Sequence, residues 1–171
     1  MSRTSNKDKK TIFQLSREEL GWSREKASEE LGISPERIER IENEKLAIYP
    51  EEVMKMAECY KNPNLCNHYC SNKCPIGMKY VPEIKIKDLS QIVLEMLALF
   101  NSMNKKRERL IEITCDGVIS NDQIEDFIRI QNELERITIT ADTLRLWTEQ
   151  MLANGNIDEK AYEICKTRLN K

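Results

Sequence analysis

The sequence predicts an all-α protein with a helix-turn-helix domain at its N-terminus and a long helical hairpin after it. Only 5 glycines and 5 prolines occur among the 171 residues, and apolar and charged residues make up 40% and 33% of the chain. This composition is typical of a helix-rich globular protein. Short helical patterns with capping residues fill the first third, and two much longer apolar stripes fill the second half.

The first third is expected to contain four short helices, at residues 11–20, 23–31, 35–42 and 50–60. Their ends are marked by residues that favour helix starts or stops, namely Ser23, Ser34, Pro50, Gly21 and Gly32. Helices of this length are not stable alone in water, so they must pack on one another.

The second half has two long amphipathic patterns. In the first, apolar residues recur at three- and four-residue steps, at Leu89, Ile92, Val93, Met96, Leu99, Phe100, Met103, Leu110 and Ile113. After Asp116 and Gly117, the second repeats the stripe at Ile124, Phe127, Ile128, Leu134, Ile137, Ala141, Leu144, Trp147 and Met151. At 1.5 Å per residue, the helices form a hairpin of roughly 40 Å. A short final helix is expected from Asp158 to about Leu169.

The hairpin leaves one side of each stripe uncovered. A second copy of the chain would cover it by forming a four-helix bundle, so we expect a homodimer. The alternative is a monomer whose last helix completes a three-helix bundle.

Three domains follow from these patterns. We predict a helix-turn-helix DNA-binding domain at residues 1–62 and a cysteine-containing connector at residues 63–87. The hairpin and the short C-terminal helix form a dimerisation domain at residues 88–171. The connector is expected to be rich in loops, because Cys74-Pro75 forces an extended residue and Gly77 permits a turn.

Charge is spread unevenly along the chain. The net charge is −1 over residues 1–65, +3 over residues 66–87 and −4 over residues 88–171. A nucleic-acid-binding protein usually carries a basic surface, so the overall charge argues mildly against DNA, although a local basic patch would suffice. Residues 1–10 are predicted to form a basic arm that supplies such a patch. The alternative is an ordinary frayed terminus. The arm holds Arg3, Lys7, Lys9 and Lys10 against Asp8.

The sequence has no signal for a membrane or for secretion. No apolar run approaches the roughly 20 residues needed to span a bilayer, and the polar start MSRTSNKDKK is unlike a secretory signal. We therefore expect a cytoplasmic protein. An enzyme is not expected, because the chain lacks a Gly-rich phosphate loop, a second histidine and a convincing nucleophile–base pair.

Residues 23–45, SREKASEELGISPERIERIENEK, have the spacing of a helix-turn-helix. Ala27 and Leu31 face the core from the first helix, Gly32 makes the turn, and Ile38 and Ile41 face the core from the second. The stretch ISPERIERIEN resembles the recognition helix of the Xre/Cro/phage-repressor family. The resemblance covers about residues 11–60 and implies a lambda-repressor-like fold. The second half of the chain is similar to regulators of the Firmicutes type.

The resemblance implies a sequence-specific transcriptional regulator that binds double-stranded DNA. It places eight residues at DNA-contacting positions: Arg24, Ser34, Pro35, Glu36, Arg37, Arg40, Asn43 and Lys45. Arg24 lies where the family contacts a phosphate. Arg40 and Glu36 lie where it reads bases, and they suit a guanine edge and a cytosine amino group, respectively.

The predicted recognition helix departs from the family in its charge. Glu36, Glu39, Glu42 and Glu44 outnumber its arginines and lysine, and Glu44 stands where glycine is usual. DNA binding therefore requires most glutamates to face away from the phosphates, and we expect Glu36 to pair with Arg40 at i,i+4. The affinity should be modest and depend steeply on salt. The alternative function is a protein-interaction or scaffold module with the same fold.

The connector concentrates thiols around the only histidine, His68. Cys66, Cys70 and Cys74, with Cys59 nearby, are candidate ligands for zinc or an iron–sulfur cluster. Their spacing also puts them on one stripe of a helix, which suits buried structural thiols. Redox-active thiols are a third possibility, which would make the protein a cysteine-based redox or metal sensor with a DNA-binding head. No cofactor is expected.

Two further cysteines, Cys115 and Cys165, lie within the helical stripes of the second half. They are expected to be core residues.

Overall fold

A computed structural model describes residues 10–115 and 117–169. These residues form helices without strands, which confirms the all-α fold class. The helices are α1 (Ile12–Glu19), α2 (Arg24–Leu31), α3 (Pro35–Glu42), α4 (Pro50–Cys59), α5 (Asn64–Asn72), α6 (Gly77–Tyr80), α7 (Leu89–Thr114), α8 (Ile124–Ala153) and α9 (Glu159–Leu169). No helix in this part of the chain has the length and apolar character required to cross a membrane. The predicted basic arm lies outside the described residues except for Lys10.

The chain divides into two compact units. The first comprises the described residues up to Glu83 together with those from Gln150 onward, and the second is Ile84–Glu149. Helix α9 therefore belongs to the N-terminal unit, where the Gln150 side-chain amide donates to the Lys61 carbonyl oxygen at 2.8 Å. The functional division at residues 1–62, 63–87 and 88–171 stays a prediction.

The core of the N-terminal unit is made by α1 to α5. Its buried members are Phe13, Ala27, Leu31, Ile33, Ile38, Ile41, Ile48, Val53, Met56, Ala57, Tyr60 and Leu65. Each predicted short helix is present, and its ends agree with the prediction to within one residue. The agreement follows from local capping chemistry, which fixes where each helix begins and ends.

The predicted loop-rich connector is wrong over its first half, where α5 forms. Leu65 is completely buried and anchors α5 on the core. Burial of such a residue outweighs the poor helix propensity of the three asparagines in this segment. Helix α6 then packs against α5 so closely that a Cβ atom at Gly77 would lie 2.1 Å from the Cys70 carbonyl oxygen.

The second unit contains α7 and most of α8, as predicted. Ile92, Leu99 and Ile113 are buried on α7, and Ile130 and Leu146 are buried on α8. A second apolar face of α7 stays open in the single chain. It consists of Leu89, Val93, Leu97, Phe100 and Ile111, which are 40%, 42%, 54%, 47% and 61% exposed, respectively.

Cys115 and Cys165 are exposed, so the expectation that they are core residues is wrong. Cys115 caps the C-terminal end of α7. Cys165 lies on α9, none of whose residues is buried. A helical stripe predicts which residues share a face, but it does not predict whether that face is covered.

Candidate nucleic-acid interface

Local capping fixes the path of the chain from α2 into α3. The Ser23 hydroxyl accepts from the Lys26 backbone N–H at 3.2 Å, and the Ser34 hydroxyl accepts from the Arg37 backbone N–H at 3.3 Å. Between the helices, Gly32 adopts a left-handed conformation with φ of 65°. Pro35 occupies the first turn of α3, where its missing N–H costs no hydrogen bond. The turn is therefore well defined before any tertiary contact is considered.

Packing then decides which face of α3 remains accessible. Ile38 and Ile41 are 0% and 3% exposed and lie against the core that also holds Ala27 and Leu31. The opposite face of α3 and its C-terminal end are exposed at Glu36, Glu39, Arg40 and Asn43. This face has the position of a recognition surface in a helix-turn-helix.

A buried ion cluster joins α1, α2 and α3. The Glu42 carboxylate, 2% exposed, accepts from Arg17 Nε at 2.6 Å, from Arg17 Nη2 at 3.0 Å and from Arg24 Nε at 2.9 Å. Arg17 Nη1 also donates to the Trp22 carbonyl oxygen. The hydrogen bond to Glu42 raises the pKa of Arg17. Arg24, a predicted phosphate contact, is therefore held in place by Glu42 while its side chain stays 34% exposed.

A second ion pair joins α3 to α4. The Arg37 guanidinium binds the Glu52 carboxylate in a bidentate manner, with Nη2 2.8 Å from Oε2, and lies 4.8 Å from the centre of the Tyr49 ring. Glu52 also accepts from the Tyr49 backbone N–H at 2.9 Å. Arg37, another predicted DNA contact, is thus engaged within the fold.

The Arg37–Glu52 pair predicts a pH dependence of stability. The hydrogen bond from Arg37 lowers the pKa of Glu52 below its ordinary value of 4.5. A carboxyl group whose pKa is lowered by folding stabilises the protein above its unfolded pKa, and this contribution is lost as the pH falls through the folded pKa. We expect Glu52→Gln to lower the free energy of unfolding by about 1–3 kcal/mol at neutral pH.

Urea unfolding at several pH values checks this expectation. From roughly pH 5 to pH 3, the stability of Glu52→Gln should fall less than that of the unchanged protein. The matched control is Glu51→Gln, because Glu51 is the exposed neighbour on the same helix turn. Parallel pH profiles for Glu52→Gln and the unchanged protein would contradict the assigned role of the pair.

The remaining predicted contacts face solvent or lie at the surface. Ser34, Glu36, Arg40, Asn43 and Lys45 are exposed, whereas Pro35 is half-buried. Among the described residues, neither Arg40 nor Lys45 has an ion-pair partner, and the expected Glu36–Arg40 pair is not formed. Both cations are therefore accessible to a polyanion.

The negative charge of the glutamates on α3 and just after it is partly compensated within the fold. Glu42 is neutralised by the two arginines described above, and Glu44 lies 2.6 Å from Lys73 Nζ. This contact lowers the pKa of Glu44. Glu36 and Glu39 remain on the exposed face together with Arg40. The excess of glutamates in the sequence therefore overstates the negative charge that α3 would bring near a phosphate.

Glu44 adopts a left-handed backbone conformation, with φ of 53°, directly after α3. Glycine is usual at such a position because a Cβ atom makes this conformation unfavourable. Helix α3 ends at Glu42 with Asn43 as its C-cap, so Glu44 lies in the turn after the helix, and Lys45 follows it at the surface.

The thiols near α5 are the candidate ligands for a metal ion or an iron–sulfur cluster. In the parts of the chain that the structure describes, no group of three or more His, Cys, Asp and Glu residues could hold a metal ion. Cys66, Cys70 and Cys74 are half-buried, and the Cys74 Sγ accepts from the Gly77 backbone N–H at 3.5 Å. Burial raises the pKa of Cys59, which makes its reactive thiolate less available. A zinc or iron–sulfur site at these thiols stays an alternative for metal analysis of protein purified without air.

Sequence reasoning missed Arg17 and Glu52 as residues that position the interface. Arg17 lies one helical turn after Phe13 on the inward face of α1, and a charged residue on an apolar face signals a buried partner. Glu52 gave no comparable signal, because it is one of two acidic residues in the first turn of α4, where carboxylates are favourable in any helix.

Comparison with known proteins supports the N-terminal domain. The helix-turn-helix family model matches residues 14–63. These residues contain most of α1 and the whole of α2 to α4, including the exposed face of α3. Neither a curated protein nor a solved structure gives a significant match to the chain.

Proposed function

We propose that this chain, whose residues 14–63 form a helix-turn-helix domain of the Xre/Cro-like type, is a sequence-specific transcriptional regulator of double-stranded DNA. The observation that carries the proposal is the exposed face of α3. The helix is capped, packed on its opposite side and supplied with Arg40, which has no ion-pair partner in the part of the chain that the structure describes. The regulator would act by occupying an operator. We place it in the cytoplasm, where a bacterial-type regulator reaches DNA, and we propose no catalytic role and no resident cofactor.

The proposed base-reading group is Arg40, and the proposed phosphate contacts lie around it. Arg40 can present two donors to guanine O6 and N7, and Glu36 can accept from a cytosine amino group. Ser34, Asn43 and Lys45 are exposed at the two ends of α3, where contacts to the backbone of DNA fix orientation. Arg24 would contribute through the part of its side chain that is accessible beside Glu42.

A homodimer formed through α7 completes the proposed regulator. Val93, Phe100 and Ile111 lie on one face, because their spacings are close to whole numbers of turns at about 3.6 residues per turn. Helix α7 has 26 residues, so it is about 39 Å long. A two-fold axis would pair this face with the same face of a second copy. The two recognition helices would then reach half-sites about 34 Å apart.

Binding of the purified protein to the DNA upstream of its own gene tests the function. Fluorescence anisotropy across a salt series should give an affinity that falls as salt rises, because bound phosphates release counterions. We expect Arg40→Ala to weaken specific binding by about 1–3 kcal/mol, or roughly fivefold to 150-fold, and to relax the preference over random DNA. Loss of one base-reading arginine explains both changes.

The matched control is Arg145→Ala, which removes an exposed arginine from α8 instead of α3. Its affinity for the same DNA should stay within about twofold of the unchanged protein. Equal binding to upstream and random DNA, with Arg40→Ala unchanged, would contradict regulation through α3 at this site.

A protein-interaction or scaffold module is the second candidate function, and the ion pairs of α3 favour it. Arg24 and Arg37 are held by Glu42 and Glu52, while Glu36 and Glu39 remain exposed. An accessible face with two carboxylates and one arginine also suits a basic protein partner. The absence of DNA preference in the anisotropy experiment would favour this candidate.

A further inference from the structure

A cavity of about 330 Å³ lies within the N-terminal unit beside the C-terminal end of α3. It is lined by the start of α1, by the segment between α3 and α4, and by α5 with the residue that follows it. Its volume falls at the small end of the roughly 300–1,000 Å³ typical of ligand sites. The helix-turn-helix function described above does not use this cavity.

The residues that line the cavity form an apolar surface and a basic surface. Phe13, Ile41, Ile48 and Tyr69 supply the apolar and aromatic surface, and the Phe13 ring meets the His68 ring edge to face at 6.2 Å. Small-molecule sites commonly pair such a surface with a few polar groups that fix the orientation of the ligand.

Two lysines and one glutamate give the lining a positive balance. Lys73 contacts Glu44 at 2.6 Å, whereas Lys45 has no ion-pair partner among the described residues. An anionic group entering the cavity would meet Lys45 and would compete with Glu44 for Lys73. This arrangement favours a carboxylate over a cation or a neutral head group.

The cavity also adjoins residues that the proposed regulator uses. Glu44 and Lys45 follow the C-cap of α3, and Glu44 has the strained conformation described above. A carboxylate that displaces Glu44 from Lys73 would remove one contact that holds the chain in place between α3 and α4. Lys45, a proposed DNA contact, would then change position or become occupied by the ligand.

We propose that this cavity binds a small carboxylate with an apolar body, and that the bound ligand changes the affinity of α3 for DNA. The second half of the proposal rests on the proposed DNA-binding function, whereas ligand binding itself does not. By linkage, DNA and ligand would alter each other's affinity by the same factor.

Nuclear magnetic resonance of His68 tests ligand binding without DNA. His68 is the only histidine in the chain, so its ring protons give a unique signal beside the cavity. The probes are phenylacetate, indole-3-acetate and hexanoate, each added up to about 10 mM. Acetate supplies the charge without the apolar body, and phenylacetamide supplies the body without the charge. At least one probe acid should shift the signal saturably, and phenylacetate should bind at least tenfold more tightly than its amide.

Two matched variants locate the site. Lys73→Met should weaken binding of the effective acid at least tenfold, whereas Lys79→Met should leave it unchanged, because Lys79 lies over the Tyr80 ring and does not line the cavity. The proposal is overturned if no acid gives a saturable shift, if the amide binds as well as the acid, or if both variants behave alike.

Anisotropy with upstream DNA tests the regulatory half. At constant ionic strength, with acetate as the balancing anion, the effective acid should change the dissociation constant for DNA at least fivefold. Saturable ligand binding with an unchanged DNA affinity would overturn regulation and leave the ligand site. Absence of DNA binding with and without the acid would instead contradict the proposed function, while the resonance titration would still decide the ligand site.

Discussion

Replacement of Glu42 by alanine is expected to lower the free energy of unfolding of the N-terminal unit by about 3–5 kcal/mol. The change leaves the guanidinium of Arg17, itself only 6% exposed, without its charge partner. It also releases Arg24, so one substitution removes the polar contacts that join three helices. Loss of one member of a buried ion cluster costs more than the cluster contributes, because the remaining charge stays poorly solvated.

Urea unfolding followed by tryptophan fluorescence measures this effect. The chain has two tryptophans, so a Trp147→Phe background leaves Trp22 as the reporter of the N-terminal unit. Trp22 packs partly against the core and meets the Tyr60 ring edge to face at 5.9 Å. Its fluorescence should therefore change when this unit unfolds.

The matched control for Glu42→Ala is Glu39→Ala in the same background. Glu39 lies on the exposed face of the same helix, and its replacement should change the free energy of unfolding by no more than about 0.5 kcal/mol. Similar effects of the two substitutions would show that the buried cluster is not a main determinant of stability.

Leu97→Glu is expected to produce the second large effect, a change from dimer to monomer. Leu97 is 54% exposed in the single chain and lies on the open face of α7 with Val93 and Phe100. In the proposed dimer the new carboxylate would be buried near its symmetry mate, where unpaired charge is strongly unfavourable. The single chain should remain helical, because the substituted side chain is already solvent-accessible.

Analytical ultracentrifugation measures the change in mass. The unchanged protein should sediment at twice the chain mass of 20.1 kDa, and Leu97→Glu should sediment as a single chain. The variant should also lose about 10²–10⁴-fold in affinity for a two-half-site operator, because its second half-site is no longer bound through a linked domain. Circular dichroism checks that its helix content is retained.

Ile164→Glu is the matched control for this experiment. Ile164 is also an exposed aliphatic residue, at 69%, but it lies on α9 and outside the open face of α7. This variant should remain dimeric. A monomeric unchanged protein, or a dimeric Leu97→Glu, would refute dimerisation through α7.

The sequence predicted features that depend on neighbouring residues better than features that depend on distant ones. The ends of α2 and α3 were predictable because Ser23, Gly32 and Ser34 act within one helical turn. Helix α5 was missed because its formation depends on burial of Leu65 by other helices. The only local sign of a helix was the spacing of Cys66, Cys70 and Cys74, which allows a helix without requiring one.

The candidate interface was predictable in outline, but the partners of its charged residues were not. The helix-turn-helix spacing located α3 and its exposed face. It could not reveal that Arg37 binds Glu52 or that Arg17 binds Glu42, because these contacts join different helices. The long stripe of α7 was likewise visible in the sequence, whereas the division between its buried and open faces required the packed hairpin.

The two sides of α3 separate folding from recognition. Ile38, Ile41 and Glu42 serve the interior, whereas Glu36 and Arg40 make no contact on which the core depends. Substitutions on the outer side can therefore accumulate with little loss of stability. In evolutionary terms, if the proposed function holds, a duplicated copy of this gene would be able to acquire a new operator preference through a few outward residues while the same scaffold continued to fold.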